Sequence, residues 1–280
     1  MAPKVHPALA AIRKSGADKV KVACSDIDGI LRGKYLHIDK FLGAAQPHPN
    51  GGFGFCDVVF GWDAHDVCYD NTQVTGWQHG FPDALARLDL GTHRKVPWDN
   101  GVDFFLGEFV NADGSPYAVC PRQTLKRVLK RAEKMGFQVM TGMEFEWFNF
   151  AETPQSWAGK QGVGPSTITP GMFGYSLLRM GDQREFFNAL MDDMAAFGVP
   201  IEGLHTETGP GVYEAAIAFS TASKWAPVRS SRSSSSASAS STGNRSIDQP
   251  SAENRDRRTS SAEYTPARML TSSASATTLR

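Results

Sequence analysis

Four acidic residues, Glu144, Glu146, Glu207 and Glu214, have the types and the spacing to do chemistry. The first two lie in Met140-Thr141-Gly142-Met143-Glu144-Phe145-Glu146-Trp147-Phe148, which reads as one buried strand. Successive side chains of an extended chain point to opposite faces, so Met143, Phe145 and Trp147 share one side and the two carboxylates share the other, roughly 7 Å apart. Like charges this close raise each other's pKa unless a cation sits between them, and hard divalent ions such as Mg²⁺ or Mn²⁺ take oxygen ligands of this kind. A lone Glu-x-Glu is more often the acidic solvent face of a half-exposed strand.

Glu207 and Glu214 shift that balance. They lie seven positions apart in Ile201-Glu202-Gly203-Leu204-His205-Thr206-Glu207-Thr208-Gly209-Pro210-Gly211-Val212-Tyr213-Glu214-Ala215-Ala216-Ile217. In one unbroken strand the odd offset sends them to opposite faces. Gly209-Pro210-Gly211 interrupts the strand, and a bulge or bend there restores a common side. Four converging carboxylates demand compensating charge and suit two divalent cations with a phosphate-bearing substrate.

The elements that must position these acids follow from local pattern. A short amphipathic helix is expected from Pro7 to Lys14, then a strand on the alternation of Val20, Val22 and Cys24. Asp26-Ile27-Asp28-Gly29 forms the tip of a β-hairpin with Ile30 to Leu36. Calcium binding at that tip is rejected, because the later acidic positions of a calcium loop hold Arg32, Lys34 and His37. Phe55 to Asp63 reads as an apolar strand interrupted by Asp57, an acid at a strand edge or turn, or a catalytic one. Thr92 to Pro97 and Asp103 to Val110 read as further strands, with a turn at Asn111 to Pro116. His37, His48, His65, His79 and His93 lack ligand spacing and take no role.

Pro121 to Gly136 has helical signals, with Leu125, Val128, Leu129 and Ala132 on one face and basic residues solvated on the other. A long loop, about Thr153 to Gly174, is a possible lid. It leads to a helix from about Gln183 to Phe197, stopped by Gly198-Val199-Pro200.

The composition limits the classes of function. The chain has 280 residues, 41% hydrophobic, and a formal net charge of zero. This is enough for one large or two smaller domains, with no basic field to draw nucleic acid or an anionic membrane. The cysteines Cys24, Cys56, Cys68 and Cys120 form no Cys-x-x-Cys pair, which fits reduced thiols in a cytoplasm. No apolar run reaches the ~18 residues that a membrane span needs.

Together these motifs resemble the glutamine synthetase family of ATP-dependent carboxylate–amine ligases. The likeness rests on Ser25-Asp26-Ile27-Asp28-Gly29 with Arg32-Gly33-Lys34, on Asp113-Gly114-Ser115-Pro116, and on Pro121-Arg122 with Leu125-Lys126-Arg127. It rests most specifically on Met143-Glu144-Phe145-Glu146-Trp147-Phe148 and on Glu207 to Glu214, and it covers about residues 15 to 220. The resemblance implies an α+β fold, with a β-grasp-like N-terminal domain before a partial catalytic domain built on a curved antiparallel sheet. The corresponding segments are 1–14 (N-terminal helical arm), 15–112 (β-grasp-like domain), 113–220 (partial catalytic domain) and 221–280 (tail). It also implies a homo-oligomeric ring with sites between neighbouring subunits.

Carried over by motif, Glu144, Glu146, Glu207 and Glu214 are the metal ligands, for about two to three Mg²⁺ or Mn²⁺ ions per complete site. Asp57 corresponds to the residue that a neighbouring subunit lends for ammonium binding and deprotonation. The implied partners are glutamate, ATP as co-substrate, and ammonia or a small amine. The γ-phosphoryl group passes to glutamate to give an acyl phosphate, which the amine displaces. The spacing of Glu207-Thr208-Gly209-Pro210-Gly211 looks closer to the γ-glutamyl-polyamine ligases of the family than to the assimilatory enzymes.

After about Ser220 the sequence changes character. Residues 221–280 are dominated by serine, alanine, threonine and arginine, with no aliphatic periodicity, and are expected to be disordered. The family's continuation, with its histidine-bearing segment, is not found there. So abrupt a change is what a reading-frame shift near Ser220 is expected to produce, which would leave either a ligase of doubtful activity or a non-catalytic remnant.

Overall fold

The computed structural model describes residues 6–47 and 49–222. All but the first two residues of the tail, and also His48, lie outside the described residues. Two sheets organise the described chain, one five-stranded with spatial order Leu31–His37, Lys19–Ser25, Val102–Val110, Asp83–Val96, Phe53–Cys56 and one three-stranded with order Met140–Phe148, Val212–Thr221, Ile201–Thr206.

Helix α1 (Pro7–Ser15) begins with proline in its first turn, where a missing N–H costs nothing, and ends at Gly16 in the left-handed conformation. Strand β1 (Lys19–Ser25) turns Val20, Val22 and Cys24 into the main core, as their alternation requires. The hairpin to β2 (Leu31–His37) pairs Ser25 with Leu31 through Lys19 with His37. Asp26 does structural work there. Its Oδ1 accepts the N–H groups of Asp28 and Ile30 at 3.0 and 2.8 Å, and its Oδ2 accepts Arg32 Nε at 2.8 Å.

Helix α2 (Ile38–Ala44) drives Phe41 against Phe105, with ring centroids 4.9 Å apart. The apolar strand expected to continue to Asp63 stops early. Strand β3 covers only Phe53–Cys56, and the chain then tightens into a 3₁₀ turn over Asp57–Phe60. The Asp57 N–H donates to Pro82 O at 3.1 Å and Gly61 N–H to Val58 O at 2.7 Å, so this backbone is satisfied outside a ladder. Strand β4 (Asp83–Val96) is longer than its periodicity suggests. An irregularity between Asp89 and Arg94 resets its pairing with β5 (Val102–Val110) and breaks the alternation.

Helix α3 (Pro121–Lys134) forms where expected but is anchored differently. Leu125 and Val128 are exposed, whereas Arg122 is buried with Nη2 2.7 Å from Asp89 Oδ2. Lys126 Nζ reaches both Asp89 and Glu108. Two basic residues read as solvated are therefore the polar pins holding the helix to β4 and β5.

The second sheet contains β6 (Met140–Phe148), β7 (Ile201–Thr206) and β8 (Val212–Thr221). Strand β6 is not the buried strand expected: it is an edge strand, and none of its residues is buried. Its apolar side chains do share one face, as the period of two requires. Met143, Phe145 and Trp147 line a cleft of about 320 Å³ together with Leu190, Met194 and Ile217. Helix α6 (Arg184–Phe197) covers the β8 part of that face, packing Phe187 on Tyr213 at 4.8 Å, and leaves Phe145 of β6 exposed. Its last residue, Phe197, also packs against Phe104 of the first sheet, with ring centroids 5.9 Å apart.

Two short helices, α4 (Pro154–Gly159) and α5 (Leu177–Asp182), occupy the long connection. The loop between them braces the second sheet. Thr169 Oγ1 accepts the Gly211 N–H at 3.0 Å, and Ile168 N–H donates to Asn149 O at 3.1 Å.

Candidate metal centre

Strand register places the acidic residues. Glu146 pairs directly with Glu214, and Glu214 pairs on its other side with His205. Residues opposite one another across a ladder share a face, as do residues two apart along a strand. Glu144, Glu146, Glu214 and His205 therefore stand on one face, opposite the side carrying Phe145, Trp147 and Tyr213. Glu207 joins them because its N–H donates to Val212 O at 2.8 Å, extending the β7–β8 pairing by one position.

The odd offset between Glu207 and Glu214 is resolved by chain reversal. The two acids lie on opposite arms of a hairpin whose turn is Gly209-Pro210-Gly211. Gly211 has φ 73°, and a Cβ there would fall 2.5 Å from Asn149 O, so only glycine fits. Asn149 tightens the same point, its Nδ2 donating to Gly211 O at 3.0 Å.

His205, Glu207 and Glu214 each offer one ligating atom, all within 4.8 Å of one another and half-buried. His205 Nε2 lies 3.8 Å from Glu214 Oε1. His205 was not singled out by sequence reasoning, although the alternation of Leu204-His205-Thr206-Glu207 puts it on the face of Glu207. Its ring is held by Tyr175, stacked at 4.3 Å, and Tyr175 itself sits at φ 59° with its N–H donating to Thr206 O. A bulky residue in the left-handed region is strained, and such strain concentrates at functional sites.

The electrostatics reflect this crowding. Burial pushes the Glu214 carboxyl above its usual range; His205 pulls it down, while the charges of Glu144 and Glu146 push it further up. Glu207 is held low, chiefly by the hydrogen bond from the Thr208 N–H. Several carboxylates and one imidazole offer hard oxygen donors and one nitrogen, a set that fits Mg²⁺ or Mn²⁺.

Asp57 stands apart from this group. It is buried in the first half of the chain, where Thr75 Oγ1 donates to its carbonyl and Tyr117 OH donates to its Oδ2, both at 3.1 Å. The four glutamates share one sheet face, but among the described residues the group whose ligating atoms lie within 4.8 Å of one another is His205, Glu207 and Glu214, without Glu144, Glu146 or Asp57.

Comparison with known proteins extends the picture. The family model described as glutamine synthetase, catalytic domain, matches residues 118–227. The chain is 51% identical over 211 residues to type-1 glutamine synthetase 2 of Dictyostelium discoideum, covering 75% of this chain and 40% of that protein. It is 29% identical over 213 residues to a glutamate–isopropylamine ligase of a Pseudomonas species, covering 76% and 46% of the two chains. It thus spans less than half the length of either relative. Among solved structures, a GmaS/ADP complex superposes with a TM-score of 0.59 at 19% identity, over 78% of this chain and 45% of that one, which shows a common α+β fold. The sequence matches and the shared fold agree: the described chain belongs to the glutamine synthetase family.

Proposed function

We propose that this chain contributes the carboxylate half of the active site of an ATP-dependent glutamate–amine ligase. The observation that carries this reading is the single sheet face presenting Glu144, Glu146, Glu207 and Glu214 beside His205. These residues would hold Mg²⁺ or Mn²⁺. When bound, such ions supply positive charge to phosphate oxygens during phosphoryl transfer. The chain's own contribution is a rigid, pre-paid crowding of negative charge. The β6-β8-β7 ladder fixes the carboxylates, and the Gly209-Pro210-Gly211 turn brings Glu207 to Glu214.

In the proposed reaction an oxygen of the glutamate γ-carboxylate attacks the γ-phosphorus of ATP, and ADP leaves. The amine nitrogen then attacks the acyl carbon of γ-glutamyl phosphate, and inorganic phosphate leaves. Asp57, lent from a neighbouring subunit, holds the ammonium and accepts the proton that frees its lone pair. Ammonia is the first choice of amine, giving glutamine. The match to a glutamate–isopropylamine ligase supports a second reading, a γ-glutamylamide ligase acting on a small alkylamine.

Residues 15–112 form one domain and 113–220 the catalytic part in this proposal. Exposed apolar residues such as Phe137, Phe145, Leu177 and Leu178 favour assembly into a ring of identical chains. The test is ADP release by assembled protein with glutamate and ammonia, run beside glutamate with isopropylamine and with putrescine. ADP formation with one amine upholds the reading and selects the acceptor. Its absence with all three, in soluble assembled protein, removes it.

A further inference from the structure

Asp57 is a carboxylate with one oxygen engaged and one not. Oδ2 accepts the Tyr117 hydroxyl at 3.1 Å, whereas Oδ1 is buried and has no hydrogen-bond partner in the protein. The residue cannot easily turn to share its donor. Its backbone is held through Pro82 and Thr75, and it opens the 3₁₀ turn Asp57–Phe60. A buried carboxylate oxygen left without a donor is costly, and such a group points to a catalytic role or to a bound ion or water that supplies the partner.

Tyr117 is equally fixed. Its ring centroid lies 5.9 Å from Phe60, stacked at 29°, and 6.0 Å from Phe109. Its N–H donates to Phe109 O at 3.3 Å. Burial, with the Asp57 charge, pushes its phenol up to about 12, so at neutral pH it remains a donor.

We infer that Tyr117 is a positioning residue for the amine co-substrate: its hydroxyl holds Asp57 by Oδ2 and leaves Oδ1 as the unpartnered acceptor for the N–H of an ammonium or small alkylammonium ion. The inference rests on the ligase reading for its substrate, and on geometry alone for the pairing of Tyr117 with Asp57.

Tyr117→Phe removes the donor and keeps the ring between Phe60 and Phe109. With the full assembled chain, the expected result is a rise of about tenfold in KM for ammonia, while KM for glutamate and ATP stay at wild-type values and the melting temperature falls by less than in Tyr117→Leu. Tyr117→Leu, which also removes the ring, lowers the melting temperature and so marks what a purely structural loss looks like. An unchanged KM for ammonia in Tyr117→Phe overturns the inference. If the wild-type chain releases no ADP with any amine, the ligase reading falls separately. The decision then passes to binding of methylammonium chloride, followed by tyrosine difference absorbance. Binding weakened about tenfold in Tyr117→Phe upholds the positioning role. Equal binding by the two proteins, or none by the wild type, overturns it.

Discussion

Glu146 of β6 and Glu214 of β8 are direct cross-strand partners. Like charges placed opposite one another destabilise a ladder, and this pair persists with Glu144 on the same face. A divalent cation reverses the sign of that arrangement. Addition of Mn²⁺ is therefore expected to raise the melting temperature of the wild-type protein in a saturable way. Glu146→Gln in metal-free buffer gains about 0.5 kcal/mol from lost repulsion but forfeits most of the Mn²⁺ response. Calorimetric melting with and without Mn²⁺ checks both halves. A variant that keeps the full Mn²⁺ shift shows that Glu146 is not a ligand.

The Gly209-Pro210-Gly211 turn makes a second prediction. At Gly211 a side chain meets both a left-handed φ and the Asn149 carbonyl, with no flexible neighbour to give way. Gly211→Ala is expected to cost about 1–3 kcal/mol in urea unfolding. It should also reduce the Mn²⁺ response, because Glu207 and Glu214 depend on the turn for their approach. A wild-type unfolding midpoint together with an intact Mn²⁺ response would rule out that coupling.

Much of this was legible in the residues themselves. Period-two alternation located β1 and the bounds of β6, and the acids of β6 and β8 share a face as the pleat requires. What escaped reading depended on partners distant in sequence. Asp57 leaves its strand because Pro82 and Thr75, 25 and 18 positions away, satisfy its backbone. Arg122 and Lys126 looked solvated because Asp89 and Glu108, on other strands, are not visible from helical spacing. Strand β6 looked buried because its apolar residues alternate cleanly, and alternation reports which face is apolar but not whether anything covers it. His205 was missed although its spacing to Glu207 was available, because its significance appears only when Glu214 is known to lie opposite.

Glu152 gives a pH prediction. Lys160 and Ser156 side chains and the Ser166 N–H hold its carboxyl down to about 2. A carboxylate lowered in the folded state contributes stability above its unfolded value, and that stability drains away as pH falls toward the folded value. The clasp between Glu152 and Ser166 should therefore open between about pH 4.5 and about pH 2. Trp157, carried on α4 inside that loop, is the reporter: its fluorescence should change over this window. In Glu152→Gln the change should be absent, the loop being already loosened at neutral pH. A transition of equal size in both proteins would place the acid sensitivity elsewhere.

Tyr213 closes the apolar side of the second sheet, fully buried against Phe187, Phe186 and Trp147. Its hydroxyl has no hydrogen-bond partner there, and burial pushes the phenol up to about 12. Removing an unsatisfied buried hydroxyl while keeping the ring relieves a desolvation cost, so Tyr213→Phe should be neutral or stabilising by about 1 kcal/mol. Tyr213→Ala removes the ring on which α6 rests and should cost about 3–5 kcal/mol. Because Tyr213 lies between Val212 and Glu214, the alanine variant should also weaken the Mn²⁺ response, whereas phenylalanine should preserve it. Urea midpoints of the two variants, each with and without Mn²⁺, test this directly. A phenylalanine variant destabilised by more than about 1 kcal/mol would mean that the hydroxyl carries a hydrogen bond after all.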